Sequence, residues 1–289
     1  MRRHKTCITP SSLIIYAGNG MGLFTHAAEL EKNNRAFALI QIVESRGSTP
    51  RHNASMLVDE DGNSTGTIGG GMMERLVLEQ AKEALALGES RIFSGRMARQ
   101  GEGAVGSDCG GAMKVHIAVQ PRRPQLVLLG AGHVNRAIAV VGAPLGFEIT
   151  LVDTWPENLD HPDLPDASRK LLAESFTAGI RQLTLDHHSY VVIATNHQDR
   201  EALEHAIGNP VRYLGLLASR RKIQTFRAEL EKNGVDAAAI AALRSPIGLD
   251  IGAETPEEIA ISVLAEILQV KNGASATSLQ PATLAVVSK

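Results

Sequence analysis

The chain has 289 residues and a formal net charge of −2, with 44% apolar, 21% charged and only 3% aromatic residues. That length suits one large domain or two ordinary ones, with a core built from Ala, Val, Ile and Leu. Near-neutral charge removes the electrostatic case for wrapping nucleic acid or adhering to an anionic membrane, and so few aromatics argue against a base-stacking platform.

The two cysteines, Cys7 and Cys109, cannot staple a chain this long, and nothing in them points to an oxidising compartment. The start is basic, and the apolar run at 13–16 is too short for a signal segment. No stretch is long enough to cross a bilayer, so a cytoplasmic protein is expected.

In chain order, residues 21–34 have the pattern of an amphipathic helix, and 36–44 (AFALIQIVE) that of a strand. Gly, Ser, Thr and Pro at 45–53 mark a loop. Residues 54–59 and 64–68 are two short strands joined at Asp61-Gly62, a strong hairpin signal. Gly69-Gly70-Gly71 follows, and then the period becomes helical, with Met73, Leu76, Val77, Ala81, Ala84 and Leu85 on one face and Gly88 as the stop. Residues 96–111 are glycine-rich and irregular. Met113, Val115, Ile117 and Val119 alternate with polar neighbours, as in a half-buried strand.

A polar, proline-bounded stretch at 120–125 is the expected linker between a domain at 12–119 and a second at 126–271. The second half opens with a buried-strand run at 126–129, a glycine turn, a helix to about 145, and a strand at 147–152 that ends in Asp153. Strands are expected again at 190–194 and 213–217, each followed by a helical pattern. Alternating β and α units predict a parallel sheet with helices on both faces. The last helix has the clearest start, with Thr255 as cap, Pro256 in the first turn and Glu258 completing a capping box. The tail, 272–289, is expected to fray. The fold class is α/β: a mixed N-terminal domain and a Rossmann-like C-terminal domain.

Gly130-Ala131-Gly132 follows a strand and opens a helix, and Asp153 stands about 20 residues on. Such a turn lets backbone approach a pyrophosphate at a helix N-terminus, while the acid accepts from a ribose hydroxyl. The third glycine position holds Asn135, so close helix–strand packing is not assured. The alternative is a tight turn that binds nothing. Gly69–Gly71 also opens a helix after a strand and has the geometry of an anion site.

The loop with Arg46, Ser48, Thr49 and Arg51 offers two guanidinium forks and two hydroxyls for phosphate or pterin oxygens, or it is a solvated surface loop. Cys109, followed by Gly110 and Gly111, lies in a stretch hard to bury and is read as a functional thiol, although Asp108 beside it disfavours the thiolate. Ser219, Arg220, Arg221 and Lys222 open a helix after a strand and form either an anion grip or a solvated helix start. Gly248, Asp250, Gly252 and Glu254 form a loop expected against the same crevice, facing the N-terminal domain. His187, His188 and His197 fit no standard zinc spacing and are read as surface or packing residues.

Six motifs occur in order: Arg46-Gly47-Ser48-Thr49-Pro50-Arg51, Thr67-Ile68-Gly69-Gly70-Gly71, Cys109-Gly110-Gly111, Gly130-Ala131-Gly132-His133-Val134, residues 215–222 (GLLASRRK) and residues 246–258 (PIGLDIGAETPEE). Together they resemble the XdhC/CoxI family of xanthine dehydrogenase accessory proteins over about residues 12–271. The resemblance implies a chaperone without turnover chemistry of its own. Such a protein binds and protects molybdenum cofactor (molybdopterin or its dinucleotide form), helps a cysteine desulfurase sulfurate it, and inserts it into a xanthine dehydrogenase-like molybdenum hydroxylase.

It implies cofactor contacts at Arg46, Ser48, Thr49, Arg51, Gly69, Gly70, Gly71, Cys109, Gly110, Gly111, Gly130, Gly132, His133, Asp153, Ser219, Arg220, Arg221, Gly248, Asp250, Gly252 and Glu254, with Cys109 as the thiol for molybdenum or sulfur, and a homodimer. Two departures stand out. Met72 occupies a position where family members often carry cysteine, and Asn135 replaces a usual glycine. An NAD(P)-binding oxidoreductase using Gly130, Gly132 and Asp153, with a nucleotide in the Rossmann-like domain, and a docking module are the alternative readings.

Overall fold

The computed structural model describes residues 22–97, 104 and 110–279. Cys7, Cys109 and residues 280–289 of the tail therefore lie outside the described residues. The chain divides into two compact units, Met1–Arg122 and Arg123–Lys289.

The first unit contains α1 (Leu23–Lys32), β1 (Phe37–Arg46), β2 (Ser55–Asp59), β3 (Ser64–Gly66), α2 (Gly71–Leu87), β4 (Arg91–Arg96) and β5 (Ala112–Gln120). Its five strands form an antiparallel sheet in the order β3-β2-β1-β5-β4. Alternation along β1 sends Ala38, Ile40 and Ile42 to one face, where Met73, Val77, Ala81 and Ala84 of α2 cover them. Phe37, with Leu57 of β2, points to the opposite face and meets Leu30 of α1. Gly88 ends α2 in the left-handed conformation, the cap its position predicts. The register of β1 on β5 shifts between Ile42 and Glu44, which leaves Val43 exposed at the irregularity.

The second unit contains β6 (Gln125–Leu129), α3 (His133–Gly142), β7 (Glu148–Asp153), α4 (Pro156–Leu159), β8 (Arg169–Leu172), α5 (Phe176–Ile180), β9 (Ser189–Ile193), α6 (Asp199–Ala206), β10 (Tyr213–Leu216), α7 (Arg220–Lys232), α8 (Ala237–Ala242) and α9 (Pro256–Asn272). All five strands are parallel, in the order β10-β9-β6-β7-β8. β6 is central, and the chain winds outward from it first through β7 and β8, then through β9 and β10. The connections reverse between β6 and β9, and in such sheets ligands settle at the carboxyl ends of the strands at that point.

Both faces are buried, so the strands read as continuous apolar runs. On one face Leu126 and Leu128 pack with Ile138 and Ala139 of α3 and with Val263, Leu264 and Ile267 of α9. On the other, Val127 and Leu129 pack with Phe176, Leu203, Ile223 and Phe226 of α5, α6 and α7. α9 begins with the expected capping box between Thr255 and Glu258, and the two backbone N–H groups at Glu254 and Thr255 hold the Glu258 carboxyl below its usual range. α3 stops at Gly142, and a 3-10 turn carries the chain on to Leu145. Among the described residues no helix is long and apolar enough to cross a membrane.

Candidate functional site

In the first unit, three motifs far apart in sequence come together. A Cβ placed on Gly69 would lie 2.5 Å from the Pro50 Cβ, and one on Gly111 would lie 2.4 Å from the Ser48 carbonyl oxygen and 2.9 Å from the Thr49 methyl. A Cβ on Gly47 would come within 3.0 Å of the Gly110 oxygen. Glycine is therefore what lets the 46–51 loop lie directly on the two other glycine segments. At Gly69 the backbone adds a second demand, a φ of 128° that a side chain rarely tolerates.

The loop is braced internally. Thr49 Oγ1 donates to the Arg51 carbonyl at 3.1 Å, and the His52 ring lies 2.8 Å from Ser45 Oγ and 3.2 Å from Thr49 Oγ1. Ser48 and Arg51 are exposed. Arg46 is 81% exposed and pairs with Glu44 at 2.6 Å. Lys114 and Arg46 together hold the Glu44 carboxyl below its usual range, the Lys114 hydrogen bond first. Ala112 of β5 lies between Arg46 of β1 and Arg96 of β4 in register, so both arginines leave the same face of the sheet. A small cavity of about 200 Å³ opens there, lined by Arg46, Gly47, Arg96, Met97, Gly110, Gly111 and Ala112.

The glycine run itself is held from below by Glu74. This carboxylate, 8% exposed, takes the Ile68 N–H at 3.0 Å, the Gly70 N–H at 2.9 Å and the Thr67 hydroxyl at 2.5 Å, all on Oε2. Thr67 Oγ1 in turn accepts from the Gly69 N–H. The protein's own side chains therefore use three backbone donors of this turn, and the anion geometry expected at Gly69–Gly71 is left to the first-turn amides of α2. Open space surrounds Gly70, Gly71 and Gly110, where an added Cβ would meet nothing within 4 Å.

In the second unit, Gly130 has a φ of 92°, and a Cβ there would stand 2.4 Å from the Ala194 oxygen. This glycine closes the turn of β6 onto the end of β9. Asp153, 4% exposed, reaches across from β7. Its Oδ2 accepts the Ala131 N–H at 2.6 Å and the Asn158 amide at 3.2 Å, and its Oδ1 accepts the Trp155 N–H at 2.9 Å. The acid expected to read a ribose thus spends most of its capacity fixing the turn. Asn135 is fully buried and donates through Nδ2 to the carbonyls of Leu129 and Gly130, at 3.0 and 2.7 Å. The close packing that a third glycine would permit is replaced here by an amide clamp on the strand end.

Above this turn, at the point where the sheet reverses, lies a cavity of about 530 Å³. Gly130, Gly132, His133, Arg136, Asp153 and Trp155 line one side, and residues 194–198 line the other. Thr195 is tied by its N–H and hydroxyl to Asp199 Oδ1, at 2.9 and 2.6 Å. Asp199, 2% exposed, also pairs with Lys222, which donates to the Asn196 carbonyl as well. Lys222 is therefore a brace for the wall of the cavity.

The other expected residues lie elsewhere. Ser219 caps α7, its hydroxyl accepting from the Lys222 N–H, while Arg220 and Arg221 are exposed and do not line the cavity. Gly248 sits against α9, where a Cβ would clash with Ser262 Oγ at 2.3 Å. Its N–H bonds Glu266, which also accepts from the Tyr213 hydroxyl at 2.6 Å. Asp250, Gly252 and Glu254 are exposed and outside the cavity lining. Glu74, Arg96, Arg136, Trp155, Thr195, Asn196 and Gln198 were not singled out from the sequence, and His197, read there as a surface or packing residue, lines the cavity. Arg136 had one usable signal, the one permanent charge of α3 falling on its buried face. Among the described residues no group of three or more His, Cys, Asp or Glu could hold a metal ion, and Cys109, the expected metal thiol, is outside that set.

Two family models match the chain, the XdhC and CoxI family over residues 30–95 and the XdhC Rossmann domain over residues 126–267. The chain is 58% identical over 254 residues to the uncharacterized protein YqeB of Escherichia coli K12, covering 88% of this chain and 47% of that one. It is 30% identical over 155 residues to a probable xanthine dehydrogenase subunit of Bacillus subtilis 168, covering 53% and 44%. It is 24% identical over 280 residues to the molybdenum cofactor insertion chaperone PaoD of Escherichia coli K12, covering 85% and 86%. The chain spans about half the length of the first two of these relatives. Both models fall in the order and on the units that the structure describes, and on that ground the chain belongs to the XdhC and CoxI family.

Proposed function

We propose that this protein is a cytoplasmic chaperone that binds molybdenum cofactor, protects it, assists its sulfuration by a cysteine desulfurase, and inserts it into a xanthine dehydrogenase-like molybdenum hydroxylase. The observation that carries the reading is the convergence of the 46–51 loop, Gly69 and Gly110–Gly111 in one glycine-lined cluster, flanked by the exposed guanidinium groups of Arg46, Arg51 and Arg96. Guanidinium forks suit the cofactor's phosphate and pterin oxygens. Cys109 immediately precedes Gly110 in the sequence, and a thiolate is a soft donor suited to molybdenum or to sulfur in transit. The open space at Gly70, Gly71 and Gly110 fits a bulky planar cargo. The family and the name of the PaoD relative support the same reading.

The protein acts here by binding, orientation and exclusion of solvent. Arg46, Ser48, Thr49 and Arg51 would hold the anionic end, and Gly69 to Gly71 with Gly110 and Gly111 would let backbone approach the ring system. A homodimer is the expected assembly. The test is delivery: an apo-hydroxylase is reconstituted anaerobically from cofactor carried by the wild-type protein or by Cys109→Ala. The reading expects activation by the wild type and a severalfold loss with the variant at unchanged circular dichroism. Equal activation with no chaperone at all would overturn it.

A further inference from the structure

The second unit carries a further cavity, of about 380 Å³, at the edge of its sheet. β10 is an edge strand, and Tyr213, where it begins, lines the cavity. In a parallel sheet every strand begins on the same side. This cavity therefore lies at the opposite end of the sheet from the one over the Gly130 turn, and the two share no lining residue. The chain after α8 joins the edge at Arg244, whose N–H bonds the Leu214 carbonyl and whose carbonyl accepts from the Leu216 N–H. Beside that bridge the cavity opens between the last turns of α8 and α9, at Ala241 and Val270.

Its lining divides by chemistry. Ile207, Val211, Leu214, Ala239 and Val270 give it an apolar wall. Asn209 is spent on the structure, its Nδ2 donating to the carbonyls of His205 and Ala206. The charge comes from Arg212 and Arg244, and among the described residues no Asp or Glu lines the cavity. Arg244 Nη1 stands 3.5 Å from Glu266 Oε1, while Glu266 Oε2 is taken by the Tyr213 hydroxyl and the Gly248 N–H. Glu266 therefore offsets one of the two positive charges. Arg212 is exposed and hydrogen-bonds the Tyr190 hydroxyl, a neutral partner, so its charge stays available. One net positive charge beside an apolar wall matches a singly charged anion on an apolar body. Small-molecule sites have this make-up, with a volume of about 300–1,000 Å³, mostly apolar walls and a few placed polar groups.

We infer that this cavity binds a small amphipathic carboxylic acid, its carboxylate held by the guanidinium forks of Arg212 and Arg244 and its aliphatic or aromatic body against Val211, Leu214 and Val270. A carboxylate fits better than a phosphate monoester, whose second charge would find no partner here. The ligand is separate from the cofactor assigned to the first unit, and the inference does not rest on that reading.

Titration calorimetry on the full chain tests it. Octanoate, phenylacetate and benzoate are the acids, octanamide and phenylacetamide their neutral counterparts, and acetate and inorganic phosphate the heads without a body. Saturable binding is expected for at least one of the three acids, about tenfold or more tighter than for the amides, acetate or phosphate. Arg212→Gln should weaken it about tenfold. Ala241→Phe, at an exposed position of the lining, should abolish it at unchanged circular dichroism. No saturation by any acid at millimolar concentration, an amide or phosphate binding as tightly as the acids, or wild-type affinity in either variant would overturn the assignment. So would a second copy in the cavity, seen by light scattering as a wild-type dimer that Ala241→Phe dissociates.

Discussion

Replacing Glu74 by alanine removes the support of the glycine run. One carboxylate oxygen takes the Ile68 N–H, the Gly70 N–H and the Thr67 hydroxyl. A hydrogen bond to a charged group is worth about 1.5–3 kcal/mol, and Ile68, 1% exposed, cannot turn to water when its partner is lost. The three bonds share one acceptor and do not add fully, so Glu74→Ala should destabilise the first unit by about 3 kcal/mol. Glu74→Gln keeps a neutral acceptor in place and should cost about 1 kcal/mol. With a urea slope of about 2 kcal/mol/M, the alanine variant's midpoint falls by about 1.5 M. Far-UV circular dichroism follows both units, while Trp155 fluorescence follows the second alone, so the shift should appear in the first signal and be small in the other. A midpoint shift below about 0.3 M for Glu74→Ala, or equal shifts for the two variants, would refute the reasoning.

Gly130→Ala would place a Cβ 2.4 Å from the Ala194 oxygen at a φ of 92°, so a loss of about 3 kcal/mol is expected in the Trp155 unfolding transition. A loss under about 1 kcal/mol would contradict the close approach. Lys222→Met leaves Asp199, 2% exposed, with its charge uncompensated, and should lower stability by about 2 kcal/mol because Lys222 itself is partly solvated. A neutral outcome would remove its bracing role. Glu60 is held at about 2, against a usual 4.5, by its hydrogen bond to Arg122 and then by Arg35. A depressed folded-state value stabilises fully above pH 4.5 and loses that stabilisation as pH falls toward 2. After solvent screening the expected gap between wild type and Glu60→Gln is about 1 kcal/mol at about pH 6, vanishing near about pH 2. A gap independent of pH would count against the ion pair.

The elements with strong periodicity were legible in the sequence. The hairpin around Asp61-Gly62, the helix after the glycine run and the capping box of α9 all stand where their patterns place them. β4 and β8 were not legible, because both are edge strands. β8 reads Arg-Lys-Leu-Leu and buries little, and β4 carries Gly95 and two arginines, so neither offers a clear apolar signal. At the site, the motifs were visible but their mutual packing was not. That Gly111 exists to admit Ser48, and Gly69 to admit Pro50, follows only from the register that brings β1 beside β5. Asp153 and Asn135 show the same limit. Their spacing marks a turn, yet whether the acid faces a ligand or its own backbone depends on the Ala131 N–H.

The central claim, that the glycine-lined cluster of the first unit carries molybdenum cofactor, is tested most directly by retention. Purified cofactor is mixed anaerobically with the wild type, Arg51→Ala and Cys109→Ala, and molybdenum held with the protein after ultrafiltration is quantified. The account predicts close to stoichiometric retention by the wild type and about a tenfold or greater weakening in each variant, from loss of a charge-assisted contact or of a thiolate donor. No molybdenum retained by the wild type, or equal retention by all three proteins, would contradict it.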